Sequence, residues 1–397
     1  MTVAPPFRRR AIFASLLFAA MAVATFGAAS LGILATFIID DLGISRAQLG
    51  FVIAVNAVFG AAFSPLAGRI ADRIGAKGAF IGVFVLSGAT FLAFGLAPSF
   101  LILAAGGLFG AMAQASSNPA TNKLIAEALP PGERGVVTGV KQSGVQAGIF
   151  LGGLSAPSLA IALGWRGAYL AIAAVPMVLA LVAWWLAPAS RRHDRSGGDE
   201  RRGPLPAAIR WLAVYGFLLG FAGAVTFFVP LYVEEALGFD PRLGGLVAAV
   251  MGLIAVVGRI WWSRHAEAAD AVLRSLATMA ILSALSAGAF WAGSELQALV
   301  WLGAVLTAVG SSSWNSVGMV AVMAATTPSS TGRASGVVLF GFLAGLGIGP
   351  PIFGALVDRT GSYTPMWVVS GVAALGAFMV IVAWRRDQPA DRSATRR

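Results

Sequence analysis

The sequence predicts an all-α membrane protein, with twelve transmembrane helices in two pseudo-symmetric six-helix bundles. Three observations predict it. Apolar side chains make up 58% of the 397 residues, against only 28 Lys plus Arg and 17 Asp plus Glu, whereas a soluble domain charges about a quarter of its positions. Those charges gather in short intervals between apolar runs of roughly 20 residues or more, the length that crosses about 30 Å of hydrocarbon. Finally, stretches of the first half recur in the second, as a duplicated unit would.

The runs lie near 11–38, 47–67, 79–97, 99–122, 135–162, 168–187, 209–233, 243–263, 271–292, 296–324, 333–356 and 362–384. The first follows Arg8, Arg9 and Arg10, as the apolar part of a signal peptide would. It is far longer than the roughly 7–15 residues of such a segment, so it reads as a retained first crossing. Twelve crossings leave no room for a soluble catalytic domain, and no enzyme is expected. No phosphate-cradling Gly-Lys-Ser/Thr loop occurs, which argues against an ATP-driven pump. Cys is absent, and His193 and His265 both fall in polar intervals, so disulfides, metal sites and cofactors are not expected.

The net charge of +11 would suggest nucleic acid in a soluble chain, but its distribution points to orientation in a bilayer. With the N-terminus cytoplasmic, twenty-four of the Lys and Arg residues fall on the cytoplasmic side, and Arg46, Arg166, Arg242 and Arg359 fall outside. The positive-inside rule then predicts a multi-pass protein of a bacterial-type inner (plasma) membrane with both termini cytoplasmic, and no nucleic acid partner. Chain organisation follows from the longest polar interval. Residues 1–187 form one six-crossing half, 188–208 a cytoplasmic linker rich in Arg, and 209–397 the second half. Ser64 to Asp72 lines up with Arg259 to Glu267, an offset of 195, and Gly144, Gly148 and Gly153 line up with Gly345, Gly349 and Gly354, an offset of 201.

Between the second and third crossings the chain reads Gly68-Arg69-Ile70-Ala71-Asp72-Arg73-Ile74-Gly75-Ala76-Lys77. This resembles the signature loop of the major facilitator superfamily, and a degenerate copy follows the eighth crossing, where that family also keeps one. The resemblance covers the whole chain. It implies a secondary transporter whose two halves rock about a central site, with crossings 1, 4, 7 and 10 lining the cavity, 2, 5, 8 and 11 at the interface, and 3, 6, 9 and 12 facing lipid. Gly68, Asp72, Arg73, Gly75 and Lys77 would then serve gating, with Asp72 near the cytoplasmic start of the eleventh crossing, where a helix dipole favours a carboxylate.

Polar residues are distributed as that layout requires. The fourth crossing carries Gln114, Ser116, Ser117, Asn118 and Asn122, the fifth Lys141, Gln142 and Gln146, and the tenth Ser311, Ser312, Ser313 and Asn315. Such groups are costly in hydrocarbon and should face protein or water. Gln114, Asn118 and Asn122 recur every four residues and share a helix face, either as a binding surface or as bonds between helices.

Two cations stand inside the membrane. Lys141 lies seven residues past Arg134, about 10 Å into its helix, and Arg259 eight before Glu267, about 12 Å in. Every Asp and Glu falls at a helix end or in a loop, so neither cation has an evident carboxylate partner. Either each side chain snorkels to the headgroups, or an anionic substrate supplies the missing charge. The position of Arg259 is similar to that of the anion-binding Arg of monocarboxylate and oxalate carriers, and Lys141-Gln142-Ser143-Gly144 is similar to the start of the fifth crossing in cyanate-permease-like members.

The expected function is secondary transport of a small organic anion, a carboxylate above others. Arg259, Lys141, Asn118, Gln114, Asn315 and Gln146 are the substrate contacts, with Lys141 contributing from the other half. The coupling species would be a proton or a counter-anion, and the carrier a monomer. Two departures weigh on coupling: Ile149 replaces the Pro of the antiporter motif in the fifth crossing, and Gly106 stands where many proton-coupled members carry Arg. Glu234 and Glu235, ending the seventh crossing, read as solvated carboxylates, the alternative being a group that titrates during coupling. The rival readings are a multidrug or metabolite efflux antiporter, and a receptor or scaffold that transports nothing.

Overall fold

The computed structural model describes residues 7–188, 205–266, 271–326 and 328–387. Most of the expected linker, 189–204, lies outside these residues, as do Glu267 and the C-terminal Arg392, Arg396 and Arg397. In chain order the helices are α1 (Phe7–Ile33), α2 (Ala35–Leu42), α3 (Arg46–Gly95), α4 (Phe100–Ala128), α5 (Pro131–Leu186), α6 (Ala207–Gly223), α7 (Val229–Glu235), α8 (Pro241–Ala266), α9 (Ala271–Ala292), α10 (Leu299–Val309), α11 (Trp314–Ala325), α12 (Pro328–Thr360) and α13 (Thr364–Asp387), with a 3-10 turn at Ala224–Phe227. No strand occurs among the described residues.

Nine helical segments among the described residues are long and apolar enough to cross a membrane. Two of them, within α3 and α5, are 50 residues long and each hold two of the expected crossings. Their halves meet at Gly75 (φ 83°) and Gly164 (φ 70°), which leave helical geometry. Positive φ is costly for any residue with a Cβ, so a single glycine turns the chain there where a longer loop would otherwise be needed. The tenth expected crossing is present in two pieces, α10 and α11, each too short to span alone. Every one of the twelve expected runs thus has a helical counterpart.

The chain divides into two compact units, which interleave along the sequence. The first comprises Met1–Gly197, Thr226–Leu253 and Pro350–Arg359, and the second Gly198–Val225, Ile254–Gly349 and Thr360–Arg397. In the first, Phe80, Phe84, Leu124 and Ala183 belong to one fully buried cluster. In the second, Leu212, Leu276, Val317 and Ile381 do the same.

Each unit contains a seam of touching backbones. A Cβ on Gly144 of α5 would lie 2.1 Å from the Phe18 carbonyl oxygen of α1, and one on Gly148 2.6 Å from that of Ala22. In the other unit a Cβ on Gly345 of α12 would lie 2.0 Å from the Phe217 carbonyl oxygen of α6, and one on Gly341 2.5 Å from that of Ala213. Only glycine permits approaches this close. The fifth crossing packs on the first as the eleventh packs on the seventh, so the repeat at an offset of 201 is a repeat of packing.

Candidate functional site

Lys141 is fully buried, at 0% exposure, so its side chain does not snorkel. Its ammonium donates to three oxygens of α4: Asn118 Oδ1 at 3.2 Å, Thr121 Oγ1 at 2.8 Å and Asn122 Oδ1 at 2.5 Å. An ammonium has three N–H donors, and all three are used. Thr121 can accept because its own proton goes to the Ser117 carbonyl at 2.6 Å. Asn118 Oδ1 also accepts from Gln142 Nε2 at 3.2 Å. With both oxygens turned to the ammonium, the NH₂ ends of Asn118 and Asn122 point away from it, and both residues lie on the exposed face of α4. Among the described residues no carboxylate pairs with Lys141, so its charge is solvated by neutral dipoles and remains uncompensated.

Arg259 of α8 is half-buried and meets a different partner. Its Nε and Nη2 donate to one acceptor, the Ser312 carbonyl, at 3.2 and 3.0 Å. That carbonyl is available because the helix is interrupted between α10 and α11. Ser312 N donates to the Thr307 carbonyl at 3.1 Å, and Ser313 Oγ to the Ala308 carbonyl at 2.7 Å, five residues back in each case. One turn along α8, Trp262 Nε1 donates to the Val309 carbonyl at 2.9 Å. Two side chains of α8 therefore satisfy carbonyls that the break sets free. The guanidinium has five N–H groups, and three have no partner among the described residues.

The other expected contacts are spread across both units. Gln146 is buried at 6% exposure in α5, in the same unit as Lys141. Gln114 is half-buried in α4, with its carbonyl accepting from Ser117 Oγ at 2.7 Å. Asn315, at the start of α11 in the unit of Arg259, has a buried Oδ1 with no partner among the described residues.

In the signature loop, Asp72 pairs with Lys123 of α4 at 2.8 Å, and Lys123 also donates to the Ala71 carbonyl at 3.1 Å. The carboxylate is 76% exposed. Gly75 forms the turn described above, Gly68 has open space where a Cβ would be, and Arg73 is exposed while Lys77 is half-buried.

A carboxylate does sit on a helix terminus, at a place not expected from sequence. Asp358 of α12 accepts from the first two backbone N–H groups of α3, Arg46 N at 3.2 Å and Ala47 N at 2.9 Å. The Arg46 side chain donates to Glu235 twice, at 2.9 and 2.8 Å, and lies 3.3 Å from Asp358. Beside it Glu234 is buried, at 9% exposure, and accepts from the Thr36 hydroxyl of α2. The solvated reading of Glu234 is thus corrected: α2 packs against α7 at that position. Thr36 and Asp358 left no signal in the sequence, since a lone Thr and a helix-end Asp are ordinary there.

A model of the Major Facilitator Superfamily matches residues 16–294 and 268–397. The chain is 25% identical over 408 residues to a probable sulfoacetate transporter of Cupriavidus necator, covering 92% of each chain. It is 26% identical over 398 residues to a hexuronate transporter of Bacillus subtilis, covering 90% of each. Among solved structures it is similar to a bacterial homologue of the human lysosomal transporter Spinster, with TM-score 0.79 at 18% identity over 95% of this chain and 97% of that one, which shows a shared fold. The family consists of transporters and not of enzymes, and this multi-pass membrane protein belongs to it: the chain is a member of the Major Facilitator Superfamily.

Proposed function

We propose that this transporter moves a small organic anion, a carboxylate above others, across the bacterial plasma membrane by alternating access of its two six-crossing halves, 1–187 and 209–397. The Lys141 network carries the reading. A buried ammonium with no carboxylate partner creates positive potential and turns the Asn118 and Asn122 amides so that they present N–H donors outward. A face of donors in front of a positive charge attracts carboxylate oxygens and rejects cations. On this reading Lys141 acts through the amides it orients. Arg259 offers its three remaining N–H groups directly, with Gln114, Gln146 and Asn315 as lesser contacts. The relatives named for hexuronate and sulfoacetate both take acids, which supports the same class.

Binding to the purified protein tests the substrate class, with galacturonate and sulfoacetate as anionic probes and galactose as a neutral analogue of the first. The anions should raise the unfolding temperature and galactose should not. Preference for galactose or for a lipophilic cation would favour an efflux antiporter, and absence of any solute flux in proteoliposomes a receptor or scaffold. The orientation, with both termini cytoplasmic, rests on the Lys and Arg distribution. Because the chain has no Cys, Ser362→Cys should react with an impermeant maleimide in intact cells and Ala207→Cys only after lysis.

A further inference from the structure

Glu234 is the one carboxylate found buried among the described residues, and nothing in the anion reading uses it. It lies in the last turn of α7, and among the described residues its side chain makes one hydrogen bond, accepted from Thr36 of α2, an element of the other sequence half. The backbone closes over it: a Cβ on Gly244 of α8 would lie 2.7 Å from Glu234 Oε1.

The charged groups around it do not neutralise it. Those acting on it most strongly are carboxylates, Glu235 on α7, Asp240 before α8 and Asp40 on α2. Arg46, at the start of α3, is held by Glu235 and by Asp358 of α12. Arg166 of α5 is held by Asp41. Arg242 of α8 and Arg359 of α12 are the other cations of this loop side, and no ion pair joins either to Glu234. The described part of α1 that precedes α2 carries no acid. An ionised carboxylate in such a place is expensive, and it escapes the cost by taking a proton or by returning to water.

We propose that Glu234 is a proton-binding site whose occupancy is tied to the packing of α2 on α7. A proton from the water on this side forms an O–H bond at the Glu234 carboxyl. The neutral acid is then buried under Thr36 and Gly244, and the proton is given back to water when the two elements separate. Packing therefore takes up one proton, and a carrier that must pack and separate this end in each cycle carries pH dependence at this residue. The inference rests on the transport reading above but not on the identity of the anion.

The test uses the full chain in nanodiscs, with spin labels on Leu42→Cys and Ala236→Cys to report the distance between the end of α2 and the end of α7. In the parent the short-distance population should grow as pH falls. In Glu234→Gln, which is always neutral, it should dominate and lose its pH dependence. A parent whose distances ignore pH overturns the proposal, even if the Gln variant fails to fold, and so does a Gln variant that titrates like the parent. In proteoliposomes with galacturonate as probe, the rate of transport by the parent should change with the pH on this side of the membrane, and Glu234→Gln should lose that dependence. If galacturonate is not carried at all, the anion reading fails while the distance measurement still decides the case for Glu234.

Discussion

Lys141 and Arg259 pose the same problem to the fold, a cation inside an apolar helix without a carboxylate, and their surroundings answer it differently. Lys141 lies against α4, which runs helical from Phe100 to Ala128 although Pro119 removes one N–H from its ladder, and there only side chains accept from the ammonium. Three do, from Asn118, Thr121 and Asn122. Arg259 lies against the junction of α10 and α11, where the ladder is interrupted and a backbone carbonyl accepts twice. The acceptors that the neighbouring helix turns toward the cation decide what it binds, and with it how much donor capacity is left. Lys141 has none left and works through the amides it turns, whereas Arg259 keeps three N–H groups for an anion.

The largest expected effect separates the two by stability. Lys141→Met strips three acceptors of their donor, the buried Thr121 among them, and should cost about 2–3 kcal/mol, read as a fall in unfolding midpoint in detergent. Arg259→Ala frees one carbonyl and should cost less, about 1–2 kcal/mol, while weakening galacturonate binding roughly tenfold or more, since a bond to a charged group is worth about 1.5–3 kcal/mol. If Arg259→Ala proves the more destabilising while binding is untouched, Arg259 is the structural cation and the comparison is reversed. The smallest effect is expected at the signature loop. The Asp72 and Lys123 pair is open to solvent on the Asp72 side, and exposed pairs contribute about 0–1 kcal/mol. Asp72→Asn should therefore slow transport by no more than about fivefold. Complete loss would mean that Asp72 meets a further partner during the cycle, such as the start of the eleventh crossing.

Much of the candidate site was legible in the sequence, because ionisable and amide residues in apolar runs stand out against the cost of burying them. Lys141, Arg259 and the row of Gln114, Asn118 and Asn122 could be named on that ground. What each of them binds was not legible. By sequence the serines of the tenth crossing are polar lining; in the structure they mark a break, since their hydroxyls and amides reach carbonyls off the regular register. A helix-end carboxylate such as Glu234 is normally solvated, and the α2 that covers it is nearly 200 positions away in sequence. Asp358, which among the described residues accepts from the first N–H groups of α3, carries no signal in the sequence for that contact.

By itself the sequence determined the solvent, the number of apolar runs, the duplication and the residues that hydrocarbon would reject. These follow from transfer free energies and from spacing along one chain, both of which are local. Tertiary structure alone decided which oxygen meets which cation, where the tenth crossing breaks, and which carboxylate is buried at the end of α7. Hydrogen bonds act over about 3 Å, and the groups that satisfy one another here come from crossings far apart in sequence. Their pairing emerges only once backbones have closed to the distances that Gly144 and Gly345 permit.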